Sequence, residues 1–261
     1  MVERYTIMLK TRLDILSNTE LTPDVSRMWL GACDADGRRA IGEIRPGQFI
    51  NIALDGCYLR RPISICDAAG DKVCIVYKII GEGTARLKGL ATGSQLDVLL
   101  PLGNGFNASV SGERPLLVGG GVGVPPLLLL AKRLIESGRE VDVVLGFNNA
   151  REIILADEFK AAGCNVTIAT ADGSEGCKGF VTDAIGQTDA NSANSYFYAC
   201  GPKPMLRALQ QKMKIAGQMS MEERMGCGFG ACMGCTCHTT GGTKQICTDG
   251  PVFLKDEIIF N

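Results

Sequence analysis

The chain has 261 residues, a formal net charge of −1 from 27 basic and 28 acidic side chains, one histidine and twelve cysteines. That length allows one large domain or two to three small ones, with roughly three-quarters of the unfolded surface buried, and the mixed charge carries no nucleic-acid footprint. The opening MVERYTIMLK has neither an apolar h-region nor a cleavage signature, so the expected compartment is the cytoplasm, with thiols reduced or metal-bound rather than paired in disulfides.

From Tyr5 to about residue 110 the pattern is β-like. Apolar or β-branched runs at 27–30 (RMWL), 48–54 (QFINIAL), 63–66, 72–80 (KVCIVYKII) and 95–100 are separated by the turn signals Asp36-Gly37, Pro46-Gly47, Asp55-Gly56 and Gly103-Asn104-Gly105. Strands at this spacing predict a small antiparallel β-barrel, with 84–90 as its one short helix. From about 111 to 217 strands alternate with helices: strands at 115–118, 141–146, 166–169 and 195–200, helices at 126–137, 152–162, 180–185 and 204–216. That rhythm predicts a doubly wound α/β domain with a parallel sheet. The stretch 115–131 (PLLVGGGVGVPPLLLLA) is uncharged, but it is short for a membrane span and holds four glycines and a Pro-Pro step. A buried strand, a glycine turn and a buried helix account for it better, so no membrane span is expected. Residues 218–261 form a cysteine-rich segment, giving expected boundaries of 1–110, 111–217 and 218–261.

Two motifs carry chemistry. The first is Gly119-Gly120-Gly121-Val122-Gly123 followed by Val124-Pro125-Pro126, placed after a strand and before a helix. There, backbone N–H groups and the helix dipole favour a pyrophosphate. It is not G-x-G-x-x-G, and a glycine turn that merely packs a strand against a helix remains an equal alternative. Cys200-Gly201-Pro202, at the end of the last expected strand, stands where ligands of α/β sheets bind. The second motif is Cys227-x4-Cys232-x2-Cys235 with a distant Cys247, the spacing by which plant-type ferredoxins hold a [2Fe–2S] cluster. Gly226, Gly228, Gly230 and Gly234 would supply positive φ angles for a loop wrapped around it. Zinc is the competing metal, but only Cys232/Cys235 has the close spacing a four-cysteine zinc site usually repeats, and a Rieske centre needs two histidines.

With Arg61-Pro62-Ile63-Ser64, YKIIGEGT, PLGNGF, GGGVGVPP, CGPxPM and MEERMGCGFGACMGCTCH followed by ICTDGPVF in this order, the chain resembles the ferredoxin-reductase superfamily. More closely it is similar to the electron-transfer subunits of the class 1B dihydroorotate dehydrogenases. The resemblance implies FAD on the barrel, with Arg61 at the pyrophosphate and Ser64 near the reactive edge of the ring. Val76, Tyr77 and Lys78 would line the flavin, with Gly83 and Thr84 over the phosphates. It implies Cys200 beside the nicotinamide of NAD as a packing and positioning group, and cluster ligands Cys227, Cys232, Cys235 and Cys247, with Cys237 skipped. It names the partner as an FMN-containing dihydroorotate dehydrogenase catalytic subunit, in a heterotetramer of two of each. Nicotinamide moves two electrons, an iron–sulfur cluster one, and a flavin either number, so the expected role is a converter between the two. No acid/base set for an organic substrate is visible, and no Arg pair for a 2′-phosphate follows Gly146-Phe147-Asn148-Asn149, which favours NAD over NADP. An electron-transfer subunit of another oxidoreductase and a non-enzymatic metal-binding module remain the alternatives.

Overall fold

A computed structural model describes residues 8–186 and 194–260, so the expected start of the β segment at Tyr5 lies outside the described residues. The first strand, β1 (Leu9–Thr22), lacks a long apolar run because charged and polar residues interrupt its few apolar ones. Leu13 and Ile15 point inward at 0% and 1% exposure while Lys10, Arg12 and Asp14 face out, which is period-2 alternation. The barrel continues through β2 (Val25–Ala32), β3 (Phe49–Ile52), β4 (Arg61–Ala69), β5 (Lys72–Lys78) and β6 (Gln95–Leu102). It closes in the order β1-β2-β5-β4-β3-β6, antiparallel throughout. Two helices belong to it rather than one. Asp36-Gly37 is not a turn but the first turn of α1 (Ala35–Gly42), because the Asp34 carboxylate caps the helix by accepting from the Gly37 N–H at 2.6 Å. The expected helix near 84–90 is α2 (Glu82–Lys88).

The second unit is a seven-stranded sheet. Its elements are β7 (Pro115–Gly120), α3 (Pro126–Glu136), β8 (Asp142–Phe147), α4 (Ala156–Ala161), β9 (Asn165–Thr170), β10 (Cys177–Lys178), α5 (Val181–Gly186), β11 (Tyr196–Cys200), α6 (Lys203–Lys212) and β12 (Gly217–Ser220). After the hairpin β13 (Thr236–Thr239) and β14 (Gly242–Gln245), β15 (Val252–Leu254) completes the order β10-β9-β8-β7-β11-β12-β15. All pairs are parallel except β12–β15. Strand order reverses between β7 and β11, which opens a crevice at their carboxyl ends.

Two expected helices come out shorter. Burial of Ile154 and Leu155 at 4% and 5% turns the chain after 152, with Leu155 left-handed at φ 62°, so α4 begins only at Ala156. The helix expected to reach 216 stops at Lys212, where Met213 turns extended and buries at 3%. The apolar 115–131 stretch is strand, glycine turn and buried helix, and none of the described helices is long and apolar enough to cross a membrane. Helix α3 packs its leucines against Cys66, Cys74 and Val76 on the outer face of the barrel, so one core joins barrel and sheet. Lys132 of α3 and Asp67 of β4 close that seam with an ion pair at 2.5 Å.

Candidate functional site

The crevice between β7 and β11 divides the work of its glycines. A Cβ on Gly119 would come within 2.9 Å of Val124, one on Gly120 within 2.6 Å of the Met205 sulfur, and one on Gly123 would overlap the Cys200 carbonyl. Those three need glycine for packing. Gly121 differs: its φ is +52° and its Cβ would meet nothing within 4 Å, so it faces open space. Packing thus accounts for three of these glycines, and Gly121 alone leaves the turn open on its outer side. Cys200 is 9% exposed, and burial pushes its thiol up to about 12, only partly offset by the Ser220 hydroxyl. Burial therefore favours the neutral thiol at this wall of the crevice.

Two hollows meet at Gly121. One, of about 370 Å³, lies between barrel and sheet and brings Ser64 and Lys78 together with Gly121, Cys200 and Glu222. The other, of about 430 Å³, runs over the sheet past Phe147, Phe180 and Met205. They share Gly120, Gly121, Asn148, Glu152 and Pro202, so an elongated two-part ligand fits across them. Among the described residues no lysine or arginine lines the second hollow; its charged group is the Glu152 carboxylate, held by the Asn148 and Asn149 amides at 2.7 and 3.1 Å. That wall suits a ribose hydroxyl better than a phosphate.

On the barrel, two adjacent arginines part company. Arg60 is consumed internally, bonded to the Asp97 carboxylate at 2.5 Å and to the Asn51 and Asp97 carbonyls at 3.2 Å. Among the described residues Arg61 bonds only to the neighbouring carbonyls of Leu59 and Arg60. Its guanidinium lies directly over Gly83, where a Cβ would collide with it, on the wall of a hollow of about 980 Å³. Pro62, Ile63 and Thr84 line the same space, as do the exposed Tyr58 and Ile80. A guanidinium with no carboxylate partner among the described residues, over a glycine-lined helix start beside exposed apolar side chains, fits a flavin dinucleotide. The Thr84 hydroxyl is spent within the turn, accepting from the Ile80 N–H at 3.0 Å. Lys78 pairs with Asp24 at 2.9 Å. The structure does not bring Val76 and Tyr77 into the site by their side chains: Val76 packs under α3, and Tyr77 is 2% exposed inside the barrel, its hydroxyl donating to Asn18 at 2.9 Å.

The cysteine loop closes as two pairs. The Cys232 N–H donates to the Cys227 sulfur at 3.4 Å, and Cys235 and Cys247, 1% and 2% exposed, are buried neighbours. Among the described residues no three His, Cys, Asp or Glu side chains converge on one point. Four thiol donors on one segment are the donor set that a [2Fe–2S] cluster takes. Burial disfavours the Cys227 thiolate, but N–H groups of Phe229, Cys232 and Ala231 outweigh it and hold the thiol down at about 7. Such N–H groups are what sulfur ligands of a cluster need. Cys247 goes the other way, pushed up to about 12 by burial and by Cys235.

The glycine expectation is corrected in part. Gly228 and Gly230 adopt positive φ of 78° and 89°, whereas Gly226 and Gly234 keep space beside the Cys232 sulfur, where a Cβ would sit at 3.3 and 3.6 Å. Cys237 is buried on β13 outside both pairs, and His238 is exposed on the same strand. Two residues missed in the sequence tie this loop to the barrel: Asn51 donates to the Cys227 carbonyl at 2.8 Å, and Asn104 grips the turn after Cys247 through Asp249 and Val252.

Comparison with known proteins agrees with this geometry. The profile of the iron-sulfur cluster binding domain of dihydroorotate dehydrogenase B matches residues 222–259, and that of an oxidoreductase NAD-binding domain matches residues 117–211. A dihydroorotate dehydrogenase B (NAD(+)) electron transfer subunit from Shouchella clausii is 44% identical, over 95% of this chain and 97% of its own. One from Bacillus velezensis is 43% identical, over 96% and 99%. Among solved structures, an NADH-dependent reduced ferredoxin-NADP oxidoreductase studied for flavin-based electron bifurcation superposes with a TM-score of 0.84 at 30% identity, covering 95% of this chain and 89% of its own. Phthalate dioxygenase reductase, at TM-score 0.61 and 20% identity over 77% of this chain and 63% of its own, shares the fold. With its paired cysteines, its barrel and its β7–β11 crevice, the chain belongs to the family of electron-transfer subunits of dihydroorotate dehydrogenase B.

Proposed function

We propose that this chain carries electrons from a dihydroorotate-oxidising catalytic subunit to NAD+ in pyrimidine synthesis. FAD and [2Fe–2S] supply the exchange between two-electron and one-electron transfer when bound. Arg61 holds the FAD pyrophosphate over Gly83 and the start of α2, while Pro62, Ile63 and Ser64 flank the ring. Gly121 admits the NAD pyrophosphate, with Gly119, Gly120 and Gly123 shaping the turn and Cys200, Gly201 and Pro202 forming the opposite wall. Cys227, Cys232, Cys235 and Cys247 hold the cluster. The observation that carries this reading is that the cysteine loop is pinned by Asn51 to the barrel strand beside β4, while the β7–β11 crevice opens on the same outward face of those strands, past Phe49, Pro62 and Ser64.

The partner in this reading is an FMN-containing dihydroorotate dehydrogenase subunit, joined in a cytoplasmic heterotetramer of two of each. The test is co-expression with that subunit. A complex with about two irons and two labile sulfides per electron-transfer chain, reducing NAD+ with dihydroorotate, supports the reading. Co-purification with a different dehydrogenase, or a chain holding zinc and no flavin, refutes it.

A further inference from the structure

Strand β3 alternates: Ile50 and Ile52 fill the barrel, while Phe49 and Asn51 face outward, Phe49 into the core that also holds Cys235 and Cys247. Asn51 is 1% exposed and donates through Nδ2 to the carbonyl of Cys227 at 2.8 Å. Gly228, at φ +78°, lies so close that a Cβ there would overlap the same amide nitrogen. The Asn51 Oδ1 is buried with no partner, among the described residues the one such side-chain atom. A leucine would fill this space without an orphaned acceptor; what the amide adds is the single bond to Cys227. The backbone of Asn51 stands opposite Pro62, which has no N–H to offer, and Arg60 donates to the Asn51 carbonyl instead at 3.2 Å. Pro62 lines the hollows on the barrel face. One residue thus touches the strand assigned to the flavin and the first cysteine of the cluster loop.

We propose that Asn51 is a positioning residue for electron transfer, clamping Cys227 to β3 and so setting the spacing between flavin and cluster. The inference rests on the flavin site proposed above. The test uses Asn51→Leu and the smaller Asn51→Ser in the full complex. The readouts are FAD and iron content, the EPR spectrum and midpoint potential of the reduced cluster, and stopped-flow transfer from FAD to cluster after NADH is added. Both variants are expected to keep FAD and iron while slowing that transfer at least tenfold and altering the EPR spectrum. Parent-like transfer with an unchanged spectrum overturns the proposal. Loss of iron from both variants also overturns it, because Asn51 would then be a folding element of the loop. A parent chain that purifies without FAD refutes the flavin reading instead, and the EPR comparison still tests the clamp.

Discussion

Replacing Arg61 or Arg60 by alanine separates ligand binding from folding at neighbouring positions. Among the described residues Arg61 has no carboxylate partner, and its bonds are to adjacent backbone carbonyls. Its loss removes no ion pair, so apoprotein stability should change by no more than about 0.5 kcal/mol, as for an ordinary surface site. Charge-assisted bonds to a pyrophosphate contribute about 1.5–3 kcal/mol, which corresponds to a FAD Kd about 10- to 150-fold weaker. Arg60 should behave in the opposite way. Its removal breaks the bond to Asp97 and leaves the Asn51 carbonyl without that donor, while Asp97 keeps Lys10 at 3.2 Å. With Asp97 about one-third exposed, a cost of about 1–2 kcal/mol is expected, lowering Tm by about 2–4 °C per kcal/mol. Titration of apoprotein with FAD, followed by flavin fluorescence, and thermal unfolding read the two effects. Parent-like FAD affinity in Arg61→Ala, or lost affinity with unchanged Tm in Arg60→Ala, would refute the division of roles.

Cys232→Ser and Cys235→Ser should each abolish the EPR signal of the reduced cluster, while Cys237→Ser, outside both pairs, should retain it; loss of the signal in Cys237→Ser would overturn the ligand set. Gly121→Val should load FAD and iron yet lose NADH-driven flavin reduction, because its side chain enters the open crevice at a local cost of about 1–2 kcal/mol for φ > 0. Normal reduction in that variant would place the dinucleotide elsewhere. Burial works against the Asp142 carboxylate, but Arg114, Asn194 and Asn165 outweigh it and hold its pKa below the usual value. Asp142→Asn should therefore lower Tm at neutral pH, and the gap should close as pH falls from about 4 through the lowered folded-state value; a gap that widens in acid contradicts the assignment. The isolated chain should oxidise NADH with a dye and leave dihydroorotate untouched. With the catalytic subunit present, Cys235→Ser should stop dihydroorotate-driven NAD+ reduction while sparing the NADH–dye reaction, and unchanged coupling would rule out the cluster as the bridge.

The sequence makes local chemistry legible and long-range contacts opaque, and individual residues show where the line falls. The cysteine spacing announces a cluster because the ligands lie within one short segment, where Cys227 neighbours Cys232 and Cys235 neighbours Cys247. Asn51 leaves no such trace: its partner is 176 residues away, and Asn104 reaches 145 and 148 residues to grip the turn after Cys247. The glycine run was ambiguous for a physical reason, since close backbone packing and close ligand approach both demand a missing Cβ. Only the surroundings separate Gly123, pressed on Cys200, from Gly121, open to space. Similarly, Asp36-Gly37 reads as a turn until the Asp34 carboxylate is seen capping a helix over it. Tyr77 is different, because its fate was implicit in strand geometry. Successive side chains of a strand point to opposite faces, so three consecutive residues cannot all present side chains to one ligand. Once Val73 and Ile75 fill the barrel, Tyr77 must follow them inward, and Val76 and Lys78 must face out. Tyr77 can then reach a flavin on that outer face only through its backbone.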